Sequence, residues 1–135
     1  MKKLFPVLLA VLALVASSLA CSLTEMSLEN ARMAFDQDGV NVTSTYSSTD
    51  VFYAVADLNN APQGTVLEAK WIAVNVEGYD ANFEFQTQSL DITEETFTGT
   101  IYFQLSNDSG WPTGDYKVDL YLNGELKQSV TFNVQ

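Results

Sequence analysis

WPTGDYKVDLYLNGELKQSVTFNV, residues 111–134, reads as the last two strands of an antiparallel β structure. Tyr116, Val118 and Leu120 alternate with Asp115, Lys117 and Asp119, and Val130, Phe132 and Val134 alternate with Ser129, Thr131 and Asn133. That period of two is the signature of a strand with one buried face. Asn123-Gly124 between the runs is a turn signal, because both residues tolerate positive φ at little cost. Facing residues of an antiparallel pair project to the same side. A two-residue loop would set Val118 against Ser129 and Leu120 against Lys127, mixing core and solvent sides. The faces therefore predict a three-residue loop, Leu122-Asn123-Gly124, with Asp119 opposite Lys127 and Tyr116 opposite Val130.

Working outward, 135 residues of which 47% are hydrophobic leave room for one domain with a real core. The formal charge is −11, and beyond Lys2 and Lys3 only Arg32, Lys70, Lys117 and Lys127 oppose the 17 acidic residues. Phosphate binding needs clustered cations, so this balance argues against a nucleic-acid partner. It argues equally against adhesion to anionic lipid through surface charge.

The N-terminus, MKKLFPVLLAVLALVASSLAC, places two lysines before an uncharged run from Leu4 to Ala16 and ends on the only cysteine. The run is shorter than the roughly 20 residues a membrane-crossing helix requires, and the layout is that of an export signal. Ser18-Leu19-Ala20-Cys21 resembles the bacterial lipoprotein box. That resemblance implies a signal-peptide helix over 1–20, cleavage before Cys21, and a membrane anchor of acyl chains on the Cys21 sulfur. The expected address is the cell envelope, at the outer membrane where the cell has one. Ser18-Leu19-Ala20 also satisfies the pattern of ordinary secretory cleavage, which would release the protein. Residues 21–30 read as a polar tether, and 31–135 as the domain.

Along that domain, Ala31, Met33 and Phe35 suggest a first strand, and Asp36-Gln37-Asp38-Gly39 a turn. The turn lacks the far-end carboxylate of a calcium loop, so no metal is expected there. Val51–Leu58 reads as a central strand, Asn59–Gly64 as a break, and Thr65–Glu77 as a long strand carrying Trp71. Phe83 and Phe85 mark a further extended segment, Leu90 and Ile92 a short strand or bend, and Phe97–Leu105 another strand. Short strands separated by turns, with no helical periodicity after Cys21, predict a single antiparallel β-sandwich of seven or eight strands.

Trp71 together with Gly114-Asp115-Tyr116-Lys117-Val118 resembles the immunoglobulin and fibronectin type III group. The resemblance implies that Trp71 packs between two sheets and that Tyr116 forms a corner with upstream backbone. Val118 and Ala56 fall where antibody domains carry a disulfide, so apolar packing alone would hold this core. Pro112 stands where that corner often has an acidic residue.

Candidate chemistry is sparse. The sequence has no histidine and no phosphate loop, nucleophile elbow or zinc spacing. Glu94-Glu95 reads as solvated loop, and neither a catalytic residue nor a cofactor is expected. Two surfaces are candidates for binding. If the third strand and the final hairpin share a sheet, its outer face gathers Ile72, Val74 and Tyr121 beside Lys70 and Lys117, an apolar patch with a basic rim. The second candidate is a loop cluster of Tyr79, Trp111, Asn107 and Asp108, whose aromatics could stack on sugar rings, although a Trp-Pro pair at a turn more often caps the core. These observations predict a non-catalytic, lipid-anchored interaction or envelope-structural module with a protein or glycan partner, or alternatively a carbohydrate-binding protein.

Overall fold

The computed structural model describes residues 25–135. The signal-peptide helix, Cys21 and the first part of the tether lie outside the described residues. Eight strands follow in order: β1 (Ser27–Ala34), β2 (Thr45–Tyr46), β3 (Phe52–Pro62), β4 (Val66–Val76), β5 (Phe83–Asp91), β6 (Thr96–Leu105), β7 (Gly114–Leu122) and β8 (Glu125–Val134). No helix occurs among the described residues. The strands form a three-stranded sheet, β1-β3-β6, and a five-stranded sheet, β2-β8-β7-β4-β5. Every pairing is antiparallel except the short β2–β8 contact.

The final hairpin forms, but by a different turn from the one the faces predict. Asn123 and Gly124 make a two-residue loop with φ of 51° and 83°, and Leu122 pairs with Glu125. The mismatch of faces is cured higher up. A bulge between Leu120 and Tyr121 adds one residue on β8, so that Leu120 meets Gln128, Val118 meets Val130 and Tyr116 meets Phe132. Asp119 consequently faces Ser129 rather than Lys127. The loop is also tied to β4: the Val66 amide donates to the Asn123 side chain at 2.9 Å, and the Asn123 amide donates to the Val66 carbonyl at 2.8 Å. An isolated hairpin has no such brace, which is why face matching alone misplaced the extra residue.

Two other boundaries move. β1 begins at Ser27, inside the stretch read as tether, because Leu28 is buried and Ser27–Glu29 pairs with Asp57–Asn59. β3 runs through the expected break to Pro62, with Asn60 at φ 55° accommodating an irregularity in the pairing with β6.

One apolar core fills the space between the sheets, with Phe52, Ala54, Ala56 and Leu58 from one side and Leu67, Ala69, Trp71 and Val118 from the other. At one end the core is aromatic. Phe52 stacks on Trp111 with ring centres 4.3 Å apart and touches Tyr46, Phe132 and Tyr116 at 4.9, 4.8 and 5.9 Å. Such edge and stacked contacts add to the area that each ring buries. The Tyr116 hydroxyl donates to the Pro112 carbonyl at 2.6 Å, and the Tyr46 hydroxyl to the Ala34 carbonyl at 2.6 Å. Burial pushes both phenols up to about 12, with the nearby Tyr79 adding to the effect at Tyr116.

The turn expected at 36–39 is present. The Asp36 carboxylate is occupied by the Val40 and Asn41 amides, and the loop folds back over Val55. Gly39 at φ 68° leaves space for the Arg32 guanidinium, which donates to the Gly39 carbonyl at 2.9 Å and reaches Asp57 at 3.4 Å.

Candidate functional site

The outer face of the five-stranded sheet does collect the residues named from the sequence. Strand register places Lys70 opposite Asp119, Ile72 opposite Lys117, and Glu68 opposite Tyr121. These side chains are half-buried, Val74 included, and largely satisfied by one another. The Lys70 ammonium sits 4.5 Å from the centre of the Tyr121 ring, a cation–π contact. Asp119, nearly buried, accepts from the Ser129 hydroxyl at 2.6 Å and lies 3.8 Å from the Lys117 ammonium. The face mixes half-buried Ile72 and Val74 with the Lys70–Tyr121 and Lys117–Asp119–Ser129 contacts.

The loop cluster does not assemble as a stacking platform. Trp111 is 8% exposed, stacks on Phe52 and donates its indole N–H to the Asp50 carbonyl at 3.0 Å. Tyr79 is exposed but packs against Phe83 at 5.8 Å. The Asn107 side chain is spent inside its own turn, accepting from the Ser109 amide and donating to the Gly110 carbonyl, and Asp108 is exposed on the same turn. A Trp-Pro pair at this turn caps the core, since burying the indole gains more than presenting it.

The surface that the sequence does not announce is the flank where β5 and β6 end the two sheets. β5 pairs only with β4, and β6 only with β3. Between them lies a hollow of about 440 Å³ with Leu90, Ile92, Phe97 and Ile101 among its lining and the carboxylates Asp91 and Glu94 beside them. Thr100 and Tyr102 form its β6 side. None of the four cations of the described residues lines it.

Gln88 spans this flank further along. Its side-chain carbonyl accepts from the Trp71 indole at 2.8 Å, and its amide donates to the Gln104 carbonyl at 2.8 Å. That carbonyl of β6 therefore points at β5. Backbone groups alternate sides along a strand, so the N–H and C=O groups of Tyr102 and Thr100 point the same way, into the hollow. A row of strand backbone without a strand partner is a template for one more strand.

Periodicity marked Leu90, Ile92, Phe97 and Ile101 as strand residues. It could not show that the two strands end different sheets and leave a gap. Glu94 is the solvated loop acid that the sequence suggests, and it also borders the hollow.

No family model matches the chain, and a search of curated proteins finds no match. Among solved structures, the chain is similar to the Pseudomonas fluorescens alkylpurine DNA glycosylase AlkC bound to DNA containing an abasic site analog. The TM-score is 0.50 at 15% identity, covering 83% of this chain and 31% of that one. The likeness is one of fold. It nevertheless overturns two expectations. The assignment as an envelope or carbohydrate-binding module, and the exclusion of nucleic acid, inferred function from composition and from the expected address. The same fold occupies 31% of a glycosylase bound to DNA, so neither inference stands.

Proposed function

We propose that this chain carries an immunoglobulin-like β-sandwich whose role is to hold an extended polypeptide strand along the β5–β6 flank. The observation that carries the reading is the flank itself, with two unpaired strand edges, an apolar hollow between them, and β6 backbone groups directed into it. An added strand would satisfy those groups by main-chain hydrogen bonds and place alternate side chains in the hollow, the mode of β-augmentation.

Support for the immunoglobulin-like assignment comes from three features. The strand order β1-β3-β6 against β2-β8-β7-β4-β5 matches that group's two-sheet plan. Trp71 is fully buried on β4. Tyr116 bonds to backbone four residues upstream. The reading assigns binding and no chemical step.

Amide hydrogen exchange tests it, using the full chain with short extended peptides of alternating valine and polar residues. Protection appearing at Thr100 and Tyr102 is the expected result. Protection confined to β4, β7 and β8, or binding of a DNA oligonucleotide but of no peptide, would overturn it.

We further propose export through residues 1–20 and lipidation of Cys21. The charged, apolar and small-residue layout and the single cysteine support this. Intact mass of the membrane fraction tests it: a chain beginning at Cys21 with added acyl mass is expected, and an unmodified soluble chain would overturn it.

A further inference from the structure

The geometry points to a partner strand of basic character, bearing both apolar and cationic residues. This deepens the strand-capture reading and rests on it. The hollow has an apolar floor, Leu90, Ile92, Phe97 and Ile101, of which Ile92 and Ile101 are buried. Its charged members are Asp91 and Glu94 alone, both exposed. Behind β6, the Thr100 hydroxyl donates to Asp57 at 3.4 Å, a carboxylate already paired with Arg32.

A strand laid along β6 projects alternate side chains to opposite sides. One set enters the hollow, whose lining combines the apolar floor with Asp91 and Glu94, and the other faces water. Apolar residues with lysine or arginine among them satisfy that lining. The whole described domain carries four cations against 17 acids, so its field draws such a strand in and repels an acidic one. The same field opposes a second copy of this chain as the occupant, since two such edges would bring like charges together.

Fluorescence anisotropy of the full chain would measure this with three short peptides of one apolar pattern, in which valine is interspersed with lysine, threonine or glutamate. The lysine peptide is expected to bind more tightly than the threonine peptide by about threefold to tenfold, the range that two exposed ion pairs supply. Raising the salt to about 1 M should erase that margin, because the screening length falls to about 3 Å. Asp91→Asn with Glu94→Gln should erase it at low salt as well. Glu77→Gln with Asp80→Asn, also exposed, should leave it unchanged, which separates a local rim from general acidity. Equal binding of the lysine and threonine peptides would overturn the basic partner while leaving strand capture standing. Binding of none of the three peptides would sink both. Concentration-dependent self-association that Thr100→Pro abolishes would replace the peptide with a second copy as the occupant.

Discussion

On one flank of the domain the chain crosses from sheet to sheet and pairs with both; on the other it crosses in the short 92–95 loop, and beyond that loop one side chain spans the gap. After β1, the Thr43 amide donates to the Met33 carbonyl at 3.0 Å. The chain then joins β8, where the Asn133 and Gln135 amides donate to the Ser44 and Tyr46 carbonyls at 2.9 and 3.0 Å. Gln128 adds a further tie, donating to the Leu28 carbonyl at 3.2 Å. On the β5–β6 flank the 92–95 loop joins the two strands at one end, where Gly64 donates to the Ile92 carbonyl and Ile92 to the Thr65 carbonyl, and Gln88 bridges them further along. Backbone closure there covers the ends of β1 and β8, at Met33 and at Asn133–Gln135. Along β5 and β6 a side-chain bridge leaves the strand edges available, at some cost in rigidity.

Breaking the aromatic end of the closed side should have the largest effect. Phe52→Ala empties the centre of the ring cluster and is expected to lower stability by about 3–5 kcal/mol, measured by denaturant unfolding. Alkali should act on the same end. Tyr46 and Tyr116 hold their protons more tightly when folded than the ordinary 10.0, up to about 12. Their contribution is complete below pH 10 and disappears as pH rises from 10 towards 12. Stability plotted against pH should fall across that window, and Tyr46→Phe should halve the fall.

The two glutamines sharpen the comparison directly. Gln88→Ala strips the partner from a buried indole N–H and should cost about 1–3 kcal/mol, while speeding amide exchange along β5 and β6. Gln128→Ala removes one bond from a flank already stitched by backbone, and about 0.5–1 kcal/mol is expected, with exchange along β1 and β8 unchanged. Equal effects on local exchange would show that the flanks are equally closed.

Much of this architecture could be read from residues alone. The alternation in Tyr116–Leu120 and Val130–Val134 assigned both strands and their buried faces, since a period of two has one meaning when one face meets a core. Asn123-Gly124 located the turn. Its length escaped, because Lys127 can sit in a bulge at no cost visible in a hydrophobic pattern. The outer-face residues Lys70, Ile72, Lys117 and Tyr121 were correctly grouped, but their mutual contacts depend on register. Trp111-Pro112 at a turn allows either a ring that caps the core or one that stacks on a ligand, and Phe52, about 60 residues earlier in the chain, supplies the surface that buries it.

The sequence by itself determined the class of structure, the inward face of nearly every strand and the acidity of the surface. These follow from local alternation and from composition, which need no knowledge of neighbours. Only the tertiary structure decided which strands stand at the edges, that Gln88 bridges two of them, and that Asp91 and Glu94 border an apolar hollow. Those facts depend on which strands pair and which do not, and pairing between distant segments is set by how the two sheets close on their common core.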